Sequence, residues 1–127
     1  MAGFLLDTNI LVQAIRGHRD RKDLLTDLYA SGNVLGCSVV TVGEVTAGMR
    51  PHEQRATLAL LGGLVQYELT SKIASRAGFL KNEWRRRGIT LALHDMLIAA
   101  TALTHELTLV TTNIKDFPMP DIRIHPL

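Results

Sequence analysis

Apolar residues recur along this chain in two rhythms. Short, almost wholly apolar runs alternate with longer stretches in which apolar positions return every third or fourth residue. Gly3–Leu6 and Val34–Val40 read as buried strands, and Leu107–Val110 as another. Val65–Leu69 sets apolar Val65, Tyr67 and Leu69 against polar Gln66 and Glu68, which predicts a strand with one wet face at a sheet edge. Ile122–His125 alternates in the same way between Pro118, Pro120 and Pro126, which also suits an edge.

The stretches between them have helical spacing. Ile10, Leu11, Ala14 and Ile15 mark a helix stopped by Gly17, and Leu24, Leu25, Leu28 and Tyr29 a second, closed by Gly32. Thr41 to Met49 puts Val42, Val45 and Met49 on one face, and Leu58, Leu61 and Leu64 predict a short helix after it. Ser71–Arg87 repeats Ile73, Ala77, Leu80 and Trp84 before Gly88. Leu93 to Glu106 is apolar nearly all round, as in a buried helix. The order is mostly strand, helices, strand. That predicts one domain over residues 1–127, a three-layer α/β/α sandwich on a five-stranded, mainly parallel sheet with right-handed crossovers.

Composition changes this picture little. The 127 residues are 46% hydrophobic and 20% charged, with one cysteine, Cys37, inside an apolar run. That excludes a disulfide framework or a cysteine metal site and reads as a buried thiol. No apolar run approaches the ~20 residues of a membrane span, and the start lacks the basic segment of a signal peptide. The expectation is a cytoplasmic protein without membrane contact. A net charge of +2 says little about partners; the placement of charge matters more.

The chemistry lies in the carboxylates. Asp7 follows the first strand, Glu44 opens the helix after the second, Asp95 lies in the first turn of the buried helix, and Asp116 follows the strand ending LVTT. In a parallel sheet, strand ends and the helix starts after them share one edge, where ligands collect. Each acid has a structural reading alone. Asp7 or Asn9 caps a helix, Thr41-Val-Gly-Glu44 matches a capping box, Asp95 favours a helix dipole, and Asp116 suits a turn. Together they would repel one another unless a cation compensates. All are hard oxygen donors, which points to Mg²⁺ or Mn²⁺ and, with a metal-activated water, to phosphodiester hydrolysis. His94 adjoins Asp95, but neighbours on a helix point apart, so it reads as a surface or supporting group.

LLDTNIL (Leu5–Leu11), VTVGEVTAG (Val40–Gly48), HDMLIAATAL (His94–Leu103) and LVTTNIKDF (Leu109–Phe117) resemble the four signature blocks of PIN-domain ribonucleases. Short single-domain members of that kind are the VapC-type toxins of toxin–antitoxin pairs. The resemblance implies strand order 3-2-1-4-5 and Mg²⁺-dependent endonucleolytic cleavage of RNA. It assigns Asp7, Glu44, Asp95 and Asp116 as the catalytic, metal-binding set. It makes Thr8 and Thr112 orienting hydroxyls, and Asn9 and Asn113 helix or loop anchors. Some relatives carry an acid where this chain has Asn113; either Asp116 is the fourth acid or three carboxylates hold the metal. The resemblance also implies a homodimer and an inhibitory antitoxin, an arginine of which would pair with the carboxylates.

An acidic pocket needs a basic rim to accept a nucleic acid. Arg16, Arg19, Arg21 and Lys22 bunch with His18 after the first helix, Arg85, Arg86 and Arg87 close another, and Lys115 adjoins the last acidic block. These are the candidates for gripping RNA phosphates. The alternative is a non-catalytic RNA-binding or interaction domain on the same fold. A receiver domain would need paired acids after the first strand, which are absent.

Overall fold

Leu5 and Leu6 are neighbours in sequence and both wholly buried, yet they belong to different cores. Successive strand residues point to opposite faces, so a strand buried on both sides must be apolar at every position. The computed structural model describes residues 2–127. Its elements are β1 (Gly3–Leu6), α1 (Thr8–Ile15), α2 (Arg19–Ala30), β2 (Val34–Ser38), α3 (Val39–Gly48), α4 (Gln54–Gly62), β3 (Val65–Tyr67), α5 (Ser71–Arg86), α6 (Leu93–Thr104), β4 (Thr108–Val110) and β5 (Arg123–Ile124). The five strands pair in parallel in the order β3-β2-β1-β4-β5, as the family resemblance implies.

Leu5 and Leu109 face α5 and α6, packing with Ile73, Ala77, Met96 and Ile98. Leu6 and Val110 face the other layer, packing with Ile10, Leu11, Leu28 and Val45 from α1, α2 and α3. Emptying one such site to alanine costs about 2–5 kcal/mol. Cys37 lies in this second core, where burial pushes its thiol up to about 11. It is a packing residue. No helix among the described residues is long and apolar enough to cross a membrane.

The structure moves several boundaries. The Val34–Val40 strand ends at Ser38, whose hydroxyl accepts the Val40 N–H at 3.1 Å and caps α3. Val39 and Val40 are therefore helical, although their side chains suit either state. This overturns the capping box at Thr41–Glu44: Thr41 is wholly buried inside α3, and Glu44 stands in its second turn. The edge strands shorten to Val65–Tyr67 and Arg123–Ile124, because β3 pairs only with Gly36–Ser38 and β5 only with Thr108 and Leu109. α6 stops at Thr104, before Glu106 turns left-handed at φ 54°. Short 3₁₀ turns at Pro51–Glu53 and Ile114–Asp116 have no counterpart in the hydrophobic pattern.

Candidate active site

The pairing Leu6↔Val110 sets the next two residues, Asp7 and Thr111, side by side at the carboxyl edge of the sheet. The Asp7 N–H continues the ladder by donating to the Val110 carbonyl at 3.0 Å. Its side chain turns into α1, where one oxygen accepts the Thr8 N–H at 2.8 Å and the other the Thr111 hydroxyl at 2.7 Å. Asp7 thus caps α1 as the sequence suggests, while only 4% exposed. Burial holds its carboxyl above the ordinary range, against the Thr111 and Thr8 hydrogen bonds that lower it; Glu44 raises it further, and His94 lowers it.

Thr8 links the first acid to the second. Its hydroxyl donates to Glu44 Oε1 at 2.8 Å and lies 3.4 Å from the buried Thr41 hydroxyl. Asp95 occupies the first turn of α6, half-buried. Burial raises its carboxyl; His94 lowers it, and the charges of Asp7, Asp116 and Glu44 all raise it. Those interactions locate four acids, distant in sequence, in one electrostatic neighbourhood. His94 departs from the sequence reading. Its side chain does not point away from that of Asp95: Nε2 lies 3.3 Å from Asp95 Oδ1 and 4.0 Å from Glu44 Oε2.

The side chains are nonetheless held apart. Among the described residues, no three His, Cys, Asp or Glu side chains form a group that could hold a metal ion as they stand. Each is engaged by the protein itself: Asp7 is hydrogen-bonded to Thr8 and Thr111, Glu44 to Thr8, and Asp95 lies against His94. The donor set still has the chemistry of a hard-cation site, and a cation between these oxygens would offset the repulsion that raises Asp95.

A family model described as PIN domain matches residues 4–120. The chain belongs to the PIN-domain family. Two relatives from Mycobacterium tuberculosis, Ribonuclease VapC10 and Ribonuclease VapC19, are each 37% identical to it. The alignments span 91% of this chain and 86% of the first relative, and 94% of this chain and 96% of the second. The crystal structure of VapBC2 from Rickettsia felis bound to a promoter DNA fragment superposes with a TM-score of 0.83 at 30% identity, covering 97% of either chain.

The PIN fold sorts the other candidate residues. Thr112 and Asn9 make no side-chain hydrogen bond within the described residues; the hydroxyl on Asp7 belongs to Thr111, which the sequence reading passed over. Thr111 also accepts the Asn113 N–H at 3.0 Å and so shapes the turn leading to Asp116. The signal that finds Thr111 is strand register, because it follows β4 as Asp7 follows β1.

The basic candidates split into two groups. Arg16, Arg19, Arg21 and Lys22 lie beyond the far end of α1, about 12 Å along its axis from Asp7. Arg16 binds Glu53 at 3.1 Å, and Arg21 binds Gln13 at 2.8 Å. The arginines 85–87 sit where α5 turns back into α6, the end of the hairpin that carries Asp95. Arg87 stacks 4.6 Å from the Trp84 ring centroid and pairs with Glu83, and Arg85 binds Asn82. Arg86 and Lys115 form no ion pair among the described residues and are exposed.

Proposed function

We propose that this PIN domain is a VapC-type endoribonuclease, the toxin of a toxin–antitoxin pair, cutting RNA phosphodiester bonds with Mg²⁺ or Mn²⁺. One observation carries the reading: Thr8 bonds both Asp7 and Glu44, and His94 stands 4.0 Å from Glu44 and 3.3 Å from Asp95, so acids from different elements adjoin one another at one sheet edge. Capping and turn formation explain each acid singly and do not call for that assembly. The relatives named as ribonucleases support the same reaction class.

Asp7, Glu44, Asp95 and Asp116 would hold the cation, which supplies a water nucleophile at neutral pH and charge stabilisation at a phosphoryl oxygen. The chain's own contribution is placement. Thr111 and the Thr8 N–H fix the Asp7 carboxylate, and the Thr8 hydroxyl holds Glu44 beside it. Arg85, Arg86, Arg87 and Lys115 bring the RNA backbone to the acidic edge by charge.

An antitoxin partner has a place to dock. A cavity of about 540 Å³ between α2, α4 and the β2–β3 edge is lined chiefly by Leu25, Leu35, Leu60, Leu64 and Val65, with Tyr29 72% exposed beside it. An arginine from the same partner would pair with the carboxylates and silence them. Exposed Phe79, Ile89 and Leu93 on and beside the α5–α6 hairpin offer apolar surface to a second copy, as a homodimer requires. The protein would act in the cytoplasm.

The separated side chains favour a second reading, an RNA-binding domain that does not cut. One experiment decides between them. Wild type, Asp7→Ala and Asp95→Ala are incubated with total RNA, with Mg²⁺ or with EDTA. Cleavage is expected only for wild type with metal. RNA bound but intact in every lane would favour the second reading, and equal cutting by Asp7→Ala would defeat the site.

A further inference from the structure

His94 stands at the acidic edge without a structural task. Its side chain is 53% exposed, so it adds little to either core. It does not cap α6, whose N-cap residue is Ala92. Its Nε2 lies 3.3 Å from Asp95 Oδ1, yet the pair does not reach hydrogen-bond geometry, and His94 makes no side-chain hydrogen bond among the described residues. An exposed ion pair of this kind contributes little to stability.

Consecutive residues on a helix ordinarily point apart. This ring instead turns toward Asp95 and reaches beyond its own helix: the same Nε2 is 4.0 Å from Glu44 Oε2 on α3. It thus adjoins acids of two elements, and Thr8 ties one of them, Glu44, to Asp7. Two atoms bound to one six-coordinate ion at about 2.1 Å are about 3.0 Å apart at right angles and about 4.2 Å apart across the ion. Both His94 distances fall inside that span. No three side chains form a finished site as they stand, so each donor is weighed by its reach and its chemistry. Two other histidines are committed elsewhere: His105 stacks against Tyr67, and His125 meets Phe4 edge-on.

We propose that His94 is a nitrogen ligand of the cation at the acidic edge, beside Asp95, and that it makes this chain prefer Mn²⁺ to Mg²⁺. The inference rests on the reading of that edge as a cation site. Mg²⁺ keeps to oxygen ligands and dehydrates reluctantly, whereas Mn²⁺ belongs to the transition series, whose ions accept imidazole. The other use of an exposed ring here is contact with an RNA phosphate. That phosphate would meet Glu44 and Asp95 at the same place, two carboxylates that repel it, so the ring is better placed for a cation.

The test uses the whole chain loaded with Mn²⁺ in the absence of RNA. Electron spin echo modulation reads nitrogen bound to the ion, and calorimetry reads the affinities for Mn²⁺ and Mg²⁺. Wild type should show imidazole nitrogen coupling. His94→Gln replaces an exposed ring, so it should melt as wild type does. It should lose the coupling and bind Mn²⁺ at least about tenfold more weakly, with a smaller loss for Mg²⁺. Mn²⁺ bound without nitrogen coupling, or coupling that survives His94→Gln, overturns the proposal. Equal losses for the two ions overturn the preference. Unchanged Mn²⁺ affinity with weaker RNA binding in EDTA would assign His94 to the substrate and also overturns it. A wild type that takes up neither ion defeats the proposal together with the cation site. Nitrogen coupling in a protein that leaves RNA intact would support His94 as a ligand and sink the nuclease reading alone.

Discussion

Thr111→Val isolates the hydrogen bond that holds Asp7. The substitution keeps the shape of the side chain and removes one hydroxyl, which donates to Asp7 Oδ2 at 2.7 Å and accepts from the Asn113 N–H at 3.0 Å. A hydrogen bond to a charged group contributes about 1.5–3 kcal/mol, and a neutral one about 0.5–1.5 kcal/mol. Both disappear in a place where Thr111 is wholly buried and water cannot replace them. The expected destabilisation is about 2–4 kcal/mol near neutral pH, or a fall of about 6–16 °C in melting temperature for a domain of this size. Thr112→Val is the control. Thr112 is half-buried without a side-chain hydrogen bond among the described residues, so its replacement should stay within about 0.5 kcal/mol. The assay is thermal and guanidinium unfolding of both variants, with an Asp7→Asn/Thr111→Val double-mutant cycle to isolate the pairwise energy. Thr111→Val within about 0.5 kcal/mol of wild type, or no worse than Thr112→Val, would refute the placement of Asp7 derived above.

Three further outcomes follow from the same geometry. Burial keeps Asp95 protonated to higher pH in the folded chain than in the unfolded one, so its contribution to stability is full below the unfolded carboxylate range and is lost as pH rises through the folded value. In metal-free buffer Asp95→Asn should therefore gain stability on wild type between about pH 4 and pH 7; a melting difference constant across that window counts against the crowding of carboxylates. Glu53 has the opposite sign: the Arg50 N–H, then Arg16, holds it below the ordinary range, so it stabilises above that range and the benefit fades as pH falls through its lowered value. Wild type should outlast Glu53→Gln at pH 7 and the gap should close in acid, which melting curves at several pH values will show. Finally, removing Arg85 and Arg86 should flatten the salt dependence of RNA binding by about 0.7 in log–log slope for each phosphate left without its cation, whereas removing Arg19 and Lys22 should leave it unchanged. Fluorescence anisotropy over a salt series with the uncleaved RNA in EDTA measures this, and equal slopes for both pairs would put the basic rim elsewhere.

Much of the fold was legible in the linear pattern, because burial leaves a periodic trace. Runs buried on both sheet faces stay apolar throughout, as in Leu5 and Leu6, whereas at the β3 edge only Tyr67 is partly covered and Val65 stays exposed despite the alternation in the sequence. Gly32 and Gly88 end α2 and α5 with φ near 82°, a conformation that side-chain-bearing residues rarely adopt, so those stops could be read directly. The start of α3 could not. Val39 and Val40 pack as well from a strand as from a helix, and the Ser38 cap decides between them.

The sequence by itself determined which acids the chain owns and that strand ends and helix starts would carry them to one edge of a parallel sheet. That follows from chain order and handedness, which need no coordinates. Only the tertiary structure decided which hydroxyl reaches Asp7, that Arg16 is taken by Glu53, that His94 lies between Asp95 and Glu44, and that Thr57 keeps a bare hydroxyl beside a cavity. Each depends on the register or rotation of one element against another. A slip of one residue between β1 and β4 would turn Thr111 away from Asp7 and leave the composition of the segment unchanged.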